Sequence, residues 1–135
     1  MKTVLFVDDE QAVLDALRFA LFRSPWTLRF ACGARAALEE IARTTFDAVV
    51  TDLSMPEMDG VALLERVAAA QPGAIRIILT GNIEKTAQDR AQKVVHEVLS
   101  KPCPAPALRD CLARRLGEMP ILSSPNGIVR SARIP

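Results

Sequence analysis

The stretch Asp47-Ala-Val-Val-Thr-Asp-Leu-Ser-Met-Pro-Glu-Met-Asp-Gly60 decides the fold of this chain. Its apolar run, residues 48–51, has the composition of a buried strand and ends at an acidic residue, Asp52. A Met-Pro pair and an Asp-Gly turn follow before the next helical pattern starts. A carboxylate at the carboxyl end of a buried strand is poorly placed for packing and well placed for chemistry. We therefore expect Asp52 to be a nucleophile on which other segments of the chain converge.

Apolar runs of strand length alternate with helical patterns on both sides of this stretch. The runs cover residues 3–7, 26–31, 48–51, 75–79 and 95–99. Apolar residues at helical spacing predict helices over residues 11–22, 34–41, 61–68, 83–94 and 108–116. Five strands alternating with five helices predict an α/β domain whose parallel sheet is covered on both faces. The helix over 83–94 carries only a thin apolar stripe, so we expect it to be the least buried.

The composition is that of an ordinary globular chain. Its 135 residues fit one domain, with 50% apolar and 24% charged residues. A net charge of +1 gives no argument for a nucleic acid or a membrane as partner. Three cysteines are too few for a disulfide framework or a zinc site. Since the sequence has no signal-peptide pattern and no run of ~18 apolar residues, the expected compartment is the cytoplasm.

The composition changes after Gly117. Residues 118–135 hold three of the nine prolines and show neither a helical nor a strand period. Such a segment is typical of a tail or of the start of a linker. We therefore expect the folded domain to occupy residues 1–117 and a C-terminal tail or linker to occupy residues 118–135.

Polar side chains follow four of the five predicted strands at the point where each strand ends. They are Asp8 and Asp9 after the first strand, Asp52 after the third, Thr80 after the fourth and Lys101 after the fifth. The carboxyl ends of parallel strands meet at one edge of the sheet, where the functional crevice of such folds lies. We therefore expect these five side chains to converge. Each has a simpler explanation when taken alone, because an acidic pair can cap a helix and a lysine is usually solvated.

Together these groups suit phosphoryl chemistry. Crowded carboxylates repel one another unless a cation is present, and Mg²⁺ prefers carboxylate, carbonyl and water oxygens. Asp8, Asp9 and Asp52 would suit such an ion and leave room for a phosphoryl oxygen. Asp52 could then attack an electrophilic phosphorus to give an aspartyl phosphate. Lys101 would neutralise the phosphoryl oxygens, and the Thr80 hydroxyl would donate a hydrogen bond to one of them.

Four motifs, in this order, point to a family. They are Leu-Phe-Val-Asp-Asp-Glu (5–10), Thr-Asp-Leu-Ser-Met-Pro-Glu-Met-Asp-Gly (51–60), Leu-Thr-Gly (79–81) and Leu-Ser-Lys-Pro (99–102). From residue 3 to about 116 the chain resembles the receiver domain of two-component response regulators. The resemblance implies a flavodoxin-like fold, in which a five-stranded parallel sheet of order 2-1-3-4-5 is flanked by five helices. It also implies a signalling module rather than an enzyme.

The resemblance implies roles for the acidic residues. Asp52 matches the phosphoacceptor, which takes a phosphoryl group from a histidine kinase or a phosphotransfer protein. Asp8 and Asp9 match the acidic pair that binds Mg²⁺ together with Asp52. The backbone carbonyl of Ser54 matches the remaining protein ligand of the metal.

The resemblance also implies how phosphorylation is communicated. Thr80 matches the switch hydroxyl, and Lys101 matches the phosphate-contacting lysine, whose bond to Pro102 is commonly cis. The face formed by the fourth helix, fifth strand and fifth helix would then change its affinity for a downstream effector, for an output domain of a longer protein, or for a second copy in a homodimer. Receivers usually carry an aromatic residue three positions before the lysine, whereas this chain has Val98.

Alternatives remain open from the sequence. A constitutive interaction module with a vestigial site would agree with Val98 but not with the intact set of polar residues. A phosphatase with an aspartate nucleophile would need that residue in an Asp-x-Asp pattern at the first strand, which the adjacent Asp8-Asp9 pair fits poorly. Residues 80–103 most resemble receivers that precede HD phosphodiesterase output domains, although those carry Gly where this chain has Lys93.

Overall fold

A computed structural model describes residues 1–86 and 88–117 of the chain. The predicted tail at 118–135 lies outside the described residues, so the boundary after Gly117 stays a prediction. Within the described residues, no helix is both long and apolar enough to cross a membrane.

The chain alternates strands and helices in the predicted order. The strands are β1 Thr3–Asp8, β2 Thr27–Cys32, β3 Ala48–Asp52, β4 Ile75–Thr80 and β5 Glu97–Ser100. The helices are α1 Gln11–Leu21, α2 Ala34–Arg43, α3 Gly60–Ala70, α4 Asp89–Val94 and α5 Ala105–Leu116. All strand pairs are parallel, and the strand order is β2-β1-β3-β4-β5. The predicted α/β architecture and its strand order are confirmed.

An apolar core lies on each face of the sheet. Phe6 packs with α1 and α5 on one face, while its neighbour Leu5 packs with α2 and α3 on the other, as the alternation of side chains along a strand requires. The central strands β1, β3 and β4 are buried almost throughout, which explains their uninterrupted apolar runs. The edge strand β5 is only half-buried.

The fourth helical segment differs from its prediction. Instead of one helix over 83–94, a 3₁₀ turn at Ile83–Thr86 is followed by the six-residue helix α4. In α4 the only buried residue is Ala91, which agrees with the expectation of a thinly buried helix. A helix with one buried residue gains little stability from packing. The thin apolar stripe therefore does not stabilise one continuous α-helix over the whole segment.

Candidate functional site

The sheet register gathers the predicted polar residues at one edge. Asp8, Asp52 and Thr80 are each the last residue of their strand, and Lys101 directly follows β5. Asp52 is aligned with Leu79, the neighbour of Thr80, and Thr80 is aligned with Ser100, the neighbour of Lys101. The convergence expected from strand ends therefore exists in the folded chain.

Three carboxylates form the centre of this edge. Oxygen atoms of Asp8, Asp9 and Asp52 lie within 4.8 Å of one another. Asp8 is buried at 3% exposure, Asp52 is half-buried and Asp9 is exposed, so the cluster opens to solvent on one side. Asp8 also accepts a hydrogen bond from the backbone N–H of Glu10 at 2.9 Å, which fixes its carboxylate at the start of α1. Three convergent oxygen donors with one open side suit a hard divalent cation that keeps several waters.

The ammonium group of Lys101 lies between two of these carboxylates. Its Nζ is 3.0 Å from Oδ1 of Asp52 and 3.4 Å from Oδ2 of Asp8. Burial alone would lower the pKa of Lys101, but the hydrogen bond and charge of Asp52, with a smaller contribution from Asp8, raise it above its ordinary value. The Lys101–Pro102 peptide bond is cis, as the resemblance implied. Lys101 is thus a permanent cation directed at the candidate phosphoacceptor.

Thr80 is buried, and its hydroxyl is engaged by its own loop. Thr80 Oγ1 accepts a hydrogen bond from the N–H of Asn82 at 2.9 Å and lies 3.4 Å from the Asn82 carbonyl oxygen. Among the described residues, these contacts to Asn82 are its side-chain hydrogen bonds. The hydroxyl therefore holds the turn that leads from β4 into the 3₁₀ segment, at the same sheet edge as Asp52.

The loop between β3 and α3 is tied closely to Asp52. Gly60 donates a backbone hydrogen bond to Leu53 at 2.7 Å, and a Cβ at this position would overlap the carbonyl oxygen of Asp52. Only glycine allows so close an approach. Asp59 caps α3 by accepting a hydrogen bond from the N–H of Ala62 at 2.8 Å. In this turn Asp59 thus caps α3, and Gly60 lets the loop lie against Asp52.

A cleft of about 660 Å³ extends from the acidic cluster along this loop. Asp9 and Ser54 line it together with Lys85, Gln88 and Arg90. Ser54 and Asp9 thus line the same cleft, and the ligand role that the resemblance implied for Ser54 stays a prediction. The cleft lies beside Asp52, since its neighbour Leu53 lines it, and it is large enough for a small anionic group.

The sequence reasoning missed a cluster of three charged residues across this cleft. Arg90, at the start of α4, lies 3.3 Å from Oδ1 of Asp59 and 3.5 Å from Oε1 of Glu65. Asp59 and Glu65 lie 31 and 25 residues before Arg90 in the chain. The residues of this ion-pair cluster are individually common surface types, so no local pattern could have revealed it.

The remaining residues of interest lie beside the site. Val98 is half-buried and is paired with Ile78, which places it on the face of the sheet covered by α3 and α4. His96 lies just before β5, where its Nδ1 accepts the backbone N–H of Arg76 at 2.9 Å. Cys111 belongs to the core, whereas Cys32 is exposed.

Known proteins are similar to this chain in sequence and in fold. Residues 4–113 match the response regulator receiver domain family. Response regulator protein FleR of Pseudomonas aeruginosa is 33% identical over 120 residues, which cover 87% of this chain and 25% of FleR. The signal receiver domain of an HD domain-containing protein from Pseudomonas fluorescens Pf-5 is 32% identical with a TM-score of 0.73, covering 87% of this chain and 98% of that one. A CheY-like receiver domain from Methanospirillum hungatei JF-1 is 26% identical with a TM-score of 0.80, covering 87% and 94%.

The chain belongs to the response regulator receiver domain family. It is a phosphoacceptor-type signalling module rather than an enzyme, as the resemblance implied. The chain spans only 25% of FleR and 24% of the transcriptional regulator NtrC from Rhizobium meliloti, so the match concerns one domain of those longer proteins.

Proposed function

We propose that Asp52 is the residue that accepts a phosphoryl group in this receiver domain. The observation that carries the proposal is the contact of Lys101 with Asp52 at 3.0 Å inside a cluster that also holds Asp8 and Asp9. Asp52 is the last residue of a buried strand, and its side chain keeps 14% exposure to solvent. A nucleophile needs both a fixed position and access for its reaction partner.

The proposed transfer forms one bond and breaks another. A carboxylate oxygen of Asp52 attacks the phosphorus of a phosphohistidine on a histidine kinase or phosphotransfer protein. As the O–P bond forms, the P–N bond breaks and its electron pair stays on the imidazole of the donor. The Lys101 ammonium balances charge on the transferred oxygens, and the hydroxyl of Thr80 donates a hydrogen bond to one of them.

We assign Mg²⁺ to the acidic cluster because its donor set fits a hard cation. Its ligands would be the carboxylates of Asp8, Asp9 and Asp52 and the backbone carbonyl of Ser54. The ion would supply positive charge against the carboxylates and the incoming phosphoryl oxygens. Asp8 is held for this role by its bond to the N–H of Glu10.

The domain would signal through the face formed by α4, β5 and α5. A phosphoryl group on Asp52 would shift a population of conformers and so change the affinity of this face for its partner. The partner would be a downstream effector, an output domain in the same longer protein, or a second copy of the chain. Residues 1–117 would form the receiver and residues 118–135 a tail or linker, in a cytoplasmic setting.

Intact mass after treatment with acetyl phosphate and Mg²⁺ tests the proposal. The wild-type protein should gain the mass of one phosphoryl group, and Asp52→Ala should gain none, because the attacking oxygen is gone. Glu57→Gln, which removes an exposed carboxylate from the same loop, is the matched control and should be phosphorylated like the wild type.

Two outcomes would contradict the assignment. An adduct on Asp52→Ala would place the phosphoryl group on another residue. No adduct on the wild type, with acetyl phosphate and with a set of phosphorylated kinases, would support the constitutive module with a vestigial site.

Mg²⁺ binding is better measured by calorimetry than by fluorescence, since the only tryptophan, Trp26, lies before β2 at the opposite edge of the sheet.

A further inference from the structure

Helix α4 is attached to the neighbourhood of Asp52 by one charged cluster, which we call the Arg90 clamp. It consists of Arg90, Asp59 and Glu65. The Arg90 guanidinium donates to both carboxylate oxygens of Asp59, at 3.3 and 3.4 Å, and to Glu65 at 3.5 Å. These contacts raise the pKa of Arg90, with Asp59 as the largest cause. The clamp therefore joins the first turn of α4 to the first turns of α3.

The acidic end of the clamp is fixed to the candidate phosphoacceptor. Asp59 is the capping residue of α3, and burial, which would raise its pKa, is outweighed by its bonds to Ala62 and Arg90, so its pKa is lowered. The next residue, Gly60, packs against the carbonyl of Asp52. Asp59 is thus held at the start of α3, one residue from the close contact between Gly60 and Asp52.

The basic end of the clamp is connected to Thr80. Thr80 holds the N–H of Asn82, and the carbonyl of Asn82 accepts the N–H of Lys85 at 3.2 Å within the 3₁₀ turn. The turn is closed by the hydroxyl of Thr86, which is buried and donates to the carbonyl of Ile83 at 2.6 Å. Loss of the bond between Thr80 and Asn82 would therefore loosen the 3₁₀ turn that precedes α4.

The amino end of α4, where Arg90 lies, is more exposed than its carboxyl end, where Val94 packs against the core and its carbonyl accepts a hydrogen bond from Nε of Arg76 at 2.6 Å. In this six-residue helix the only buried residue is Ala91, and the Arg90 and Asp59 side chains are 41% and 43% exposed. Ion pairs as exposed as this one are weak. A weak contact suits a switch, because a small difference in free energy between two states is enough to change which state is populated.

We propose that the Arg90 clamp is the element through which this domain reports phosphorylation, in place of an aromatic side chain at position 98. The inference rests on the proposed phosphorylation of Asp52. In the unphosphorylated domain the Thr80 hydroxyl stays with Asn82 and the clamp is closed. When that hydroxyl turns to a phosphoryl oxygen on Asp52, it releases Asn82, the 3₁₀ turn rearranges and α4 shifts. Arg90 then separates from Asp59 and Glu65, and the three charges become available to a partner.

Val98 is consistent with this arrangement. It lies on the face of the sheet that α4 covers, but it is half-buried and lacks both the size and the polar group of a tyrosine. A valine cannot rotate into a space left by Thr80 in a way that changes surface chemistry. The clamp, by contrast, couples the same movement to three surface charges.

Hydrogen exchange of α4, with and without Mg²⁺ and beryllofluoride as the phosphoryl probe, tests the clamp. In the wild type the probe should increase exchange of residues 89–94.

Arg90→Gln should increase the exchange of residues 89–94 by about two- to five-fold without the probe, as expected for the loss of an exposed ion pair. Adding the probe to Arg90→Gln should then change the exchange little. Asp59→Asn, which keeps an oxygen to cap α3 but removes the charge, should behave like Arg90→Gln. Arg109→Gln is the control, since Arg109 contacts the Ala20 carbonyl on the other face of the sheet.

The possible failures can be told apart. Fluorine NMR of bound beryllofluoride reports on the site independently of α4. If the wild type binds no probe, the proposed function itself fails, and the clamp proposal fails with it. If the probe binds but exchange of residues 89–94 is unchanged, only the clamp proposal is overturned. It is also overturned if Arg90→Gln and Asp59→Asn respond to the probe as fully as the wild type does.

Discussion

The two halves of the site edge are built differently. On one side β1 and β3 are buried almost throughout and carry the acidic cluster, with Asp8 at 3% exposure. On the other side β5 is half-buried and α4 has six residues with one of them buried. The two halves therefore suit different roles. The proposed metal ligands and nucleophile lie on the more buried half, whereas the clamp that we propose to respond lies on the more exposed half.

Lys101 spans the two halves, and its removal should have the largest effect among the variants considered next. Lys101→Met keeps a similar stem but loses the charge that faces Asp52. We expect phosphorylation by acetyl phosphate to slow by about 100-fold, the range found when one group that stabilises developing charge is removed. The rate of adduct formation followed by intact mass measures this effect.

Lys85→Met removes an exposed cation from the nearby cleft wall and should change the rate far less. Equal losses in both variants would reduce the role of Lys101 to general attraction of the anion.

Gly60 tests how rigid the first half is. Gly60→Ala places a methyl group against the Asp52 carbonyl, so the β3–α3 loop must shift. We expect the free energy of unfolding to fall by about 1–3 kcal/mol, as in other overpacked sites. Urea denaturation measures this change.

Gly73 provides the matched control for Gly60. A Cβ at Gly73 meets nothing within 4 Å, so Gly73→Ala should change the free energy of unfolding by less than about 0.5 kcal/mol. A neutral Gly60→Ala would mean that the loop beside Asp52 adapts easily. The contrast between a rigid and a responsive half would then be lost.

His96 tests the weaker half and should give the smallest effect. Burial, and then the charges of Arg76 and Arg115, lower the pKa of His96. As the pH falls, His96 therefore becomes protonated in the unfolded chain at a higher pH than in the folded chain. The contribution of the neutral imidazole to stability is complete above about pH 6.5 and is lost as the pH falls through the lower folded-state pKa. Because the imidazole is enclosed only on the side that meets Arg76 and the residue as a whole stays exposed, the loss should be small.

Urea midpoints near pH 7.5 and near pH 5.5, roughly one unit on either side of the ordinary histidine pKa, measure this effect. The wild type should lose slightly more stability between the two than His96→Gln, which has no titrating group at this position. An identical pH dependence in the two proteins would show that the hydrogen bond from the Arg76 N–H to the imidazole does not contribute to the stability of the folded chain.

Much of the fold could be predicted from the sequence because its signals are local. The central strands are continuous apolar runs, and Gly117 ends α5 with a positive φ of 75°. The strand-end rule then placed Asp8, Asp52 and Thr80 at one edge without any knowledge of contacts. The split of the segment over 83–94 was not predicted, because apolar spacing does not distinguish a 3₁₀ turn followed by a short helix from one longer helix.

The sequence by itself determined the α/β alternation, the sheet edge that carries the polar residues and the family to which the chain belongs. These follow from period, turn chemistry and strand-end position, each of which is written in neighbouring residues. Only the tertiary structure decided that Lys101 lies between Asp8 and Asp52, and that Arg90 reaches Asp59 and Glu65. Those contacts join residues 25 to 93 positions apart, and a charged side chain carries no local signal of the partner that the fold will give it.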